Sequence, residues 1–214
     1  MATSNAATTY LENKILDFLF KNNSSSFTTP GNDIYIGLAT AVSDLEAGTL
    51  TEVSTVTQDA NYTRQQVNAS NWTLASSSTD QQTVTNAANI EFSASSGIAS
   101  YTVTHTFVTD KNFATAVVNG AVSSSANVTV DGNSGTIAVG DVVTGTGIGS
   151  GITVATVNSQ TSIVLSSAVS VSDNVVLKFD GGNKLFVGAV DTSKQIDSGD
   201  IFRINATNFT IELK

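Results

Sequence analysis

The stretch YTVTHTF, residues 101–107, alternates two kinds of side chain: Tyr101, Val103, His105 and Phe107 against Thr102, Thr104 and Thr106. A period of two puts one set on each face of a strand, whereas a helix needs a period near 3.6. The same beat recurs upstream, where Ile34, Ile36 and Leu38 alternate with Tyr35, Gly37 and Ala39. It returns near the end, where Phe209, Ile211 and Leu213 alternate with Thr210 and Glu212. One buried face and one wet face is the signature of antiparallel sheets. Short runs of this kind between Gly, Asn and Asp turns predict a mainly β chain, an antiparallel β-sandwich.

Composition agrees with that reading. The chain is 40% hydrophobic and 13% charged with a single proline, whereas disordered chains combine low hydrophobicity with many charges. Val, Ile and Thr dominate over Leu, Lys and Glu, which favours strands over helices. The net charge of −9 and the lack of any basic run count against nucleic acid and against an anionic membrane surface as partners. Cysteine is absent, so disulfides and thiolate metal sites play no part. MATSNAATTY has neither a basic start nor an apolar core, so no signal peptide is expected, and no stretch is long and apolar enough to span a bilayer.

One segment breaks the β pattern. TTYLENKILDFLFK, residues 8–21, predicts a helix, with Thr9 and Glu12 at capping-box spacing. Leu11, Ile15, Phe18 and Leu19 fall on one face, widened by Leu16 and Phe20. The stripe suits a helix lidding a sheet, or a helix binding a partner. NNSSSFTTPGN, residues 22–32, reads as a loop. Residues 111–179 have another texture: no His, Trp or Arg, and short Val- and Ile-rich runs between Gly-rich turns. They read as a small β module that pairs its edges internally or against a neighbour.

Candidate chemistry is sparse. In EVSTVTQDANYTRQQV, residues 52–67, Tyr62 and Arg64 share one strand face. An arginine beside an apolar face needs a carboxylate, and Glu52 supplies one if the two segments pair as a hairpin. Arg64 is therefore read as a structural joint. His105, the single histidine, alternates with core residues and reads as a buried side chain satisfied by one hydrogen bond rather than a general base. No serine sits in G-x-S-x-G. DGNSG, residues 131–135, begins like a calcium loop, but Val142 stands where the loop needs a glutamate. A hairpin turn is expected there. GTGIGSG, residues 145–151, matches no phosphate-loop spacing and is expected to be a turn. No catalytic residue, cofactor or metal site is expected.

Eight segments carry a family likeness. YLENKILDFL, IYIGLAT, EAGTLTEVS, NYTRQQV, NAANIEF, TVTH, GGNKLFVGAV and KQIDSGDIF follow one another across residues 10–214. In that order they resemble a family of small tailed-bacteriophage virion proteins, often labelled tail fibre proteins. In that family the acidic residue after V-T-H lies close to G-G-x-L-L. Here Asp110 is followed by residues 111–179 before Asp180, Gly181 and Gly182 resume the pattern. The expected organisation is a discontinuous virion-attachment body, residues 1–110 and 180–214, with residues 111–179 inserted as a projecting β module. Insertions cost least at loop tips.

The resemblance implies a non-enzymatic structural protein of a phage virion. The expected reading is a capsid-surface accessory, a decoration or head fibre assembling in symmetric copies. Its partners would be major capsid or tail proteins and copies of itself. The alternative is a tail or tail-fibre component that adheres to the host cell surface. The inserted segment has no Trp or Tyr, with Phe113 and Phe179 only at its edges, which counts against an aromatic sugar platform.

Overall fold

The computed structural model describes residues 5–21, 34–75 and 82–213; the expected loop at residues 22–32 lies outside them. In chain order the first elements are β1 (Asn5–Ala7), α1 (Thr9–Phe20), β2 (Tyr35–Asp44), β3 (Thr49–Glu52), β4 (Gln65–Gln66), β5 (Trp72–Ala75), β6 (Gln82–Asn86), β7 (Ile90–Glu91) and β8 (Tyr101–Thr109). Then follow β9 (Ala114–Val118), β10 (Val122–Ser134), β11 (Val142–Thr144), β12 (Val154–Ser159), β13 (Ser162–Val171) and β14 (Val176–Asp180). The chain closes with β15 (Lys184–Ile196), β16 (Arg203–Ile204) and β17 (Thr210–Leu213). It is mainly β, with one N-terminal helix and antiparallel sheets. Two compact units emerge: Met1–Asp110 with Asn183–Lys214, and Lys111–Gly182.

In the first unit the main sheet runs β1-β15-β8-β2-β3, with β4 also on β2. Its centre departs from the simple alternation that the sequence suggests. Thr106, Phe107, Val108 and Thr109 of β8 are all buried, as are Ile36, Leu38 and Ala39 of β2. Both faces of these strands are covered, so threonines as well as apolar residues leave water. Gly37 lies opposite Phe107, and a Cβ there would come within 2.2 Å of the Phe107 Cζ. The missing side chain is what lets the ring lie on the strand. Val42, Leu45 and Leu50 of the β2–β3 hairpin pack on the cluster of Ala39, Phe107 and Val187. Elsewhere Tyr62 stacks on Phe92, which meets Phe202 edge-on. Smaller sheets join β7 to β16 and β5 to β6 to β17.

The helix begins one residue earlier than the capping-box spacing suggests. Thr8 is the N-cap, and its side chain accepts from the Leu11 amide at 3.4 Å. Thr8 is fixed there because its own amide donates to the Leu185 carbonyl and its hydroxyl to that of Lys184. Glu12 thus falls outside the capping box. Of the expected apolar stripe only Leu11 is buried, and Ile15 is half-buried; Leu16, Phe18, Leu19 and Phe20 are exposed.

The second unit is a six-stranded sheet in the order β11-β14-β9-β10-β13-β12. A bridge between Val142 and Thr153, backed by bonds from Val143 N to Ile152 O (2.8 Å) and Val154 N to Asp141 O (2.9 Å), joins its two ends. The two end strands therefore meet at this bridge, which shortens the edge open to pairing with another chain. Val130, Ile137, Ile163, Leu177 and Phe179 lie in the core. Strand β10 serves both halves, pairing with β13 through residues 122–129 and with β9 through residues 130–134. DGNSG is not the hairpin turn expected of it. Asp131 and Gly132 lie within β10, where the register against β9 slips, and Gly132 takes φ +60°. Asp-Gly supplies a positive φ, and here it is used for a bulge. GTGIGSG is a turn between β11 and β12.

Candidate functional site

Strands β3 and β4 do not form a hairpin with each other. Both pair with β2, Glu52 opposite Ala39 and Gln65 opposite Ile36. Residues 53–63 therefore leave the β2 edge and return to it, and Glu52 and Arg64 stand at the neck of that excursion. Arg64 Nε donates to Glu52 Oε1 and Nη2 to Oε2, each at 2.8 Å. The Arg64 side chain is 0% exposed and that of Glu52 8%. A two-bond fork fixes orientation as well as charge. The guanidinium also sits 5.3 Å from the Phe107 ring centroid. Tyr62 Oη donates to Glu52 Oε1 and accepts from the Leu38 amide, both at 2.9 Å. Burial first and the Glu52 carboxylate second push the Tyr62 phenol well above its ordinary value. The assembly anchors the neck to the middle of β2.

The excursion is tied down further along. Asp59, buried, accepts from the amides of Asn61 (3.0 Å) and Ser96 (2.9 Å) through Oδ1 and from Tyr101 Oη (3.1 Å) through Oδ2. Burial, then the Asp59 charge, raises the Tyr101 phenol. Sequence reasoning missed Asp59. The only local signal is the Asp-Ala-Asn triplet, which suits an Asx turn; its partners lie far along the chain.

A second cluster sits where the chain enters and leaves the second unit. In the first unit, Asp110 accepts from the Asn183 amide (2.7 Å) and from Asn183 Nδ2 (2.8 Å). In the second unit, Lys111 Nζ pairs with Asp141 Oδ1, while Asp141 Oδ2 accepts from the Ala138 amide at 2.8 Å. Asp141 is 1% exposed. Gly181 makes room for the pair: a Cβ there would lie 2.2 Å from Asp141 Oδ1. Neither Lys111 nor Asp141 stands out in the sequence, because a surface Asp and a buried one read alike.

His105 is half-buried, with Nδ1 2.8 Å from Thr104 Oγ1, and burial lowers its pKa. It lies opposite Ala39 and Ala189, in the same cross-strand row as Glu52 with Ala39 between them. Among the described residues no group of three His, Asp or Glu gathers to hold a metal ion. Among them, too, no helix is long and apolar enough to cross a membrane. The arrangement holds loops in place within each unit.

A family model described as Podophage GP4 fiber I protein gp80 matches residues 6–145. The match covers most of the chain. It runs past Asp110 into the second unit, so its end does not coincide with the junction between the units. Among curated proteins none matches the chain.

Proposed function

The chain belongs to this phage fibre family and is a structural component of the virion; from that premise we propose that it works without enzymatic chemistry as a capsid-surface accessory, assembled in symmetric copies. The first unit attaches to other virion proteins, and the second presents a surface. The observation that carries this reading is the compact second unit. With its two sheet ends joined and its core filled, it is a self-contained body held at a strand-to-strand loop. Its exposed positions on β10 and β12 include Ser123, Asn127, Thr156 and Asn158, a hydroxyl and amide surface on which Asp131 is the one charge of the two strands. Such a surface makes shallow contacts that matter when many copies act together.

A second reading makes the protein a tail fibre component that adheres to the host cell. The word fibre in the family description favours it. The lack of a heptad or fibrous repeat in this sequence favours the capsid. Labelling the protein in purified particles and counting copies decides between them. Hundreds of copies over the shell are expected; a handful at one vertex overturns the capsid reading in favour of the tail.

A further inference from the structure

We infer that Asn119 is a site of spontaneous covalent modification, cyclising onto the Gly120 nitrogen and opening to aspartate or isoaspartate at a rate that Asp173 restrains. The inference is independent of the virion role. The chain sets Asn before Gly once, at residues 119 and 120, where it turns out of β9 towards β10. Val118 pairs with Val130, and the Asn119 amide donates to the Thr129 carbonyl at 2.9 Å, so the corner starts at Asn119. Gly120 takes φ +87°, a conformation that glycine adopts without strain and most residues avoid. The corner therefore demands the glycine, and the glycine leaves its backbone nitrogen unshielded. A Cβ at Gly120 would meet nothing within 4 Å, and both residues are exposed. Among the described residues nothing bonds the Asn119 carboxamide, whereas Asn61, Asn86, Asn133, Asn174 and Asn183 all bond through theirs.

The Gly120 nitrogen loses its proton and attacks the Asn119 Cγ. The bond from Cγ to the carboxamide nitrogen breaks, and that nitrogen takes up the proton and leaves as ammonia. Reacting groups on adjacent residues need no encounter, which removes much of the entropic barrier. Water then opens the cyclic imide at either carbonyl, giving aspartate or isoaspartate. One contact opposes the first step. The Gly120 N–H donates to Asp173 Oδ1 at 2.8 Å, from the turn between β13 and β14. Asp173 Oδ2 accepts from Asn174 Nδ2 at 3.0 Å, and the Asn174 amide donates to the Val118 carbonyl at 2.9 Å, which fixes that turn on the corner. A carboxylate facing the Gly120 N–H disfavours the anion that proton loss creates. Asp173 is thus a restraint on a reactive corner. The product sets a new negative charge one residue from the amide that Asp173 accepts.

The test incubates the full chain at mildly alkaline pH, where the Gly120 proton is lost more easily. Cleavage after Lys111 and Lys178 releases residues 112–178, and tandem mass spectrometry locates each exchange of NH2 for OH. Asn158, exposed in β12 and followed by Ser159, is the internal reference. Asn119 is expected to react at least about tenfold faster than Asn158, a barrier lower by about 1.4 kcal/mol. Equal rates overturn the inference. So does a product that is aspartate alone, because the cyclic imide also yields isoaspartate. Asp173→Asn keeps the shape of the side chain and removes its charge. It should raise the Asn119 rate about threefold or more and leave Asn158 unchanged; an unchanged Asn119 rate overturns the restraint. Circular dichroism and a thermal melt confirm that the variant is folded. If it is not, the wild-type chain in urea supplies the comparison. Released from Asp173, Asn119 should react faster there than in the folded chain, and an equal or slower rate overturns the restraint.

Discussion

Arg64 and Glu52 meet in a fork of two 2.8 Å bonds with almost no contact with water on either side chain. Removing one partner of a buried pair leaves the other charge stranded, which costs about 3–5 kcal/mol. Arg64→Met and Glu52→Gln should each lower stability on that scale in urea denaturation. The double variant should lose clearly less than the sum, because it strands no charge. Additive losses would mean that the two side chains act separately and that the neck is held by other contacts.

Gly37 and Phe107 make a second test of how the main sheet is built. Gly37→Ala forces its methyl into the ring, whose nearest atoms are 2.2–2.7 Å from the Cβ position. Overpacking of this kind costs roughly 1–3 kcal/mol. Trimming the ring with Phe107→Leu in the same chain should recover part of the loss. If Gly37→Ala melts at the wild-type temperature, the close approach of ring and strand is not as described.

Alkaline pH should find the two buried phenols. Burial raises the folded-state pKa of both Tyr62 and Tyr101 above the ordinary 10.0. Below pH 10 both states hold the protons, so the contribution of these groups is fully present. As pH rises past 10, the unfolded chain releases protons that the folded chain keeps, and stability falls. Melts from pH 8 to 11.5 should show this decline, and Tyr101→Phe should flatten it. A tyrosinate absorbance titration should show delayed ionisation relative to the urea-unfolded chain. Coincident titrations of folded and unfolded chains would contradict the burial.

The parts legible in the sequence are those set by local pattern. Period-two alternation marks β8 and the start of β2, and the apolar spacing of residues 11–19 marks the helix. What the sequence hides depends on long-range partners. The cap moves from Thr9 to Thr8 because β15, far along the chain, fixes Thr8. Asp131 and Gly132 have the chemistry of a turn or a bulge, and only pairing with β9 selects the bulge. Glu52 and Arg64 come together through a shared neighbour, β2, rather than by pairing with each other. Lys111 and Asp141 have no sequence signal, since burial of Asp141 depends on how the second unit closes. The apolar residues of α1 are legible, but the exposure of Leu16, Phe18, Leu19 and Phe20 is a tertiary fact.

The junction of the two units carries the strongest prediction about organisation. Thr109 of β8 pairs with Lys184 of β15, and Asp110 and Asn183 already bond to each other just beyond that pair. Deleting residues 111–182 and joining Asp110 to Asn183 leaves a two-residue hairpin loop. Asp and Asn tolerate the positive φ angles that such a loop requires. The shortened chain should fold cooperatively, with a melting temperature equal to or above that of the full chain, because a shorter loop closes at less entropic cost. An Asn-Gly joint should do at least as well, since Gly takes a positive φ without strain. The Arg64–Glu52 fork and the Tyr62 bonds lie wholly in the first unit, so the alkaline decline should persist with Tyr62 and Tyr101 in place. Circular dichroism, a thermal melt and sedimentation read the result. If both joints give an aggregated or unfolded chain, the first unit needs the second in order to fold, and the two cannot be independent modules.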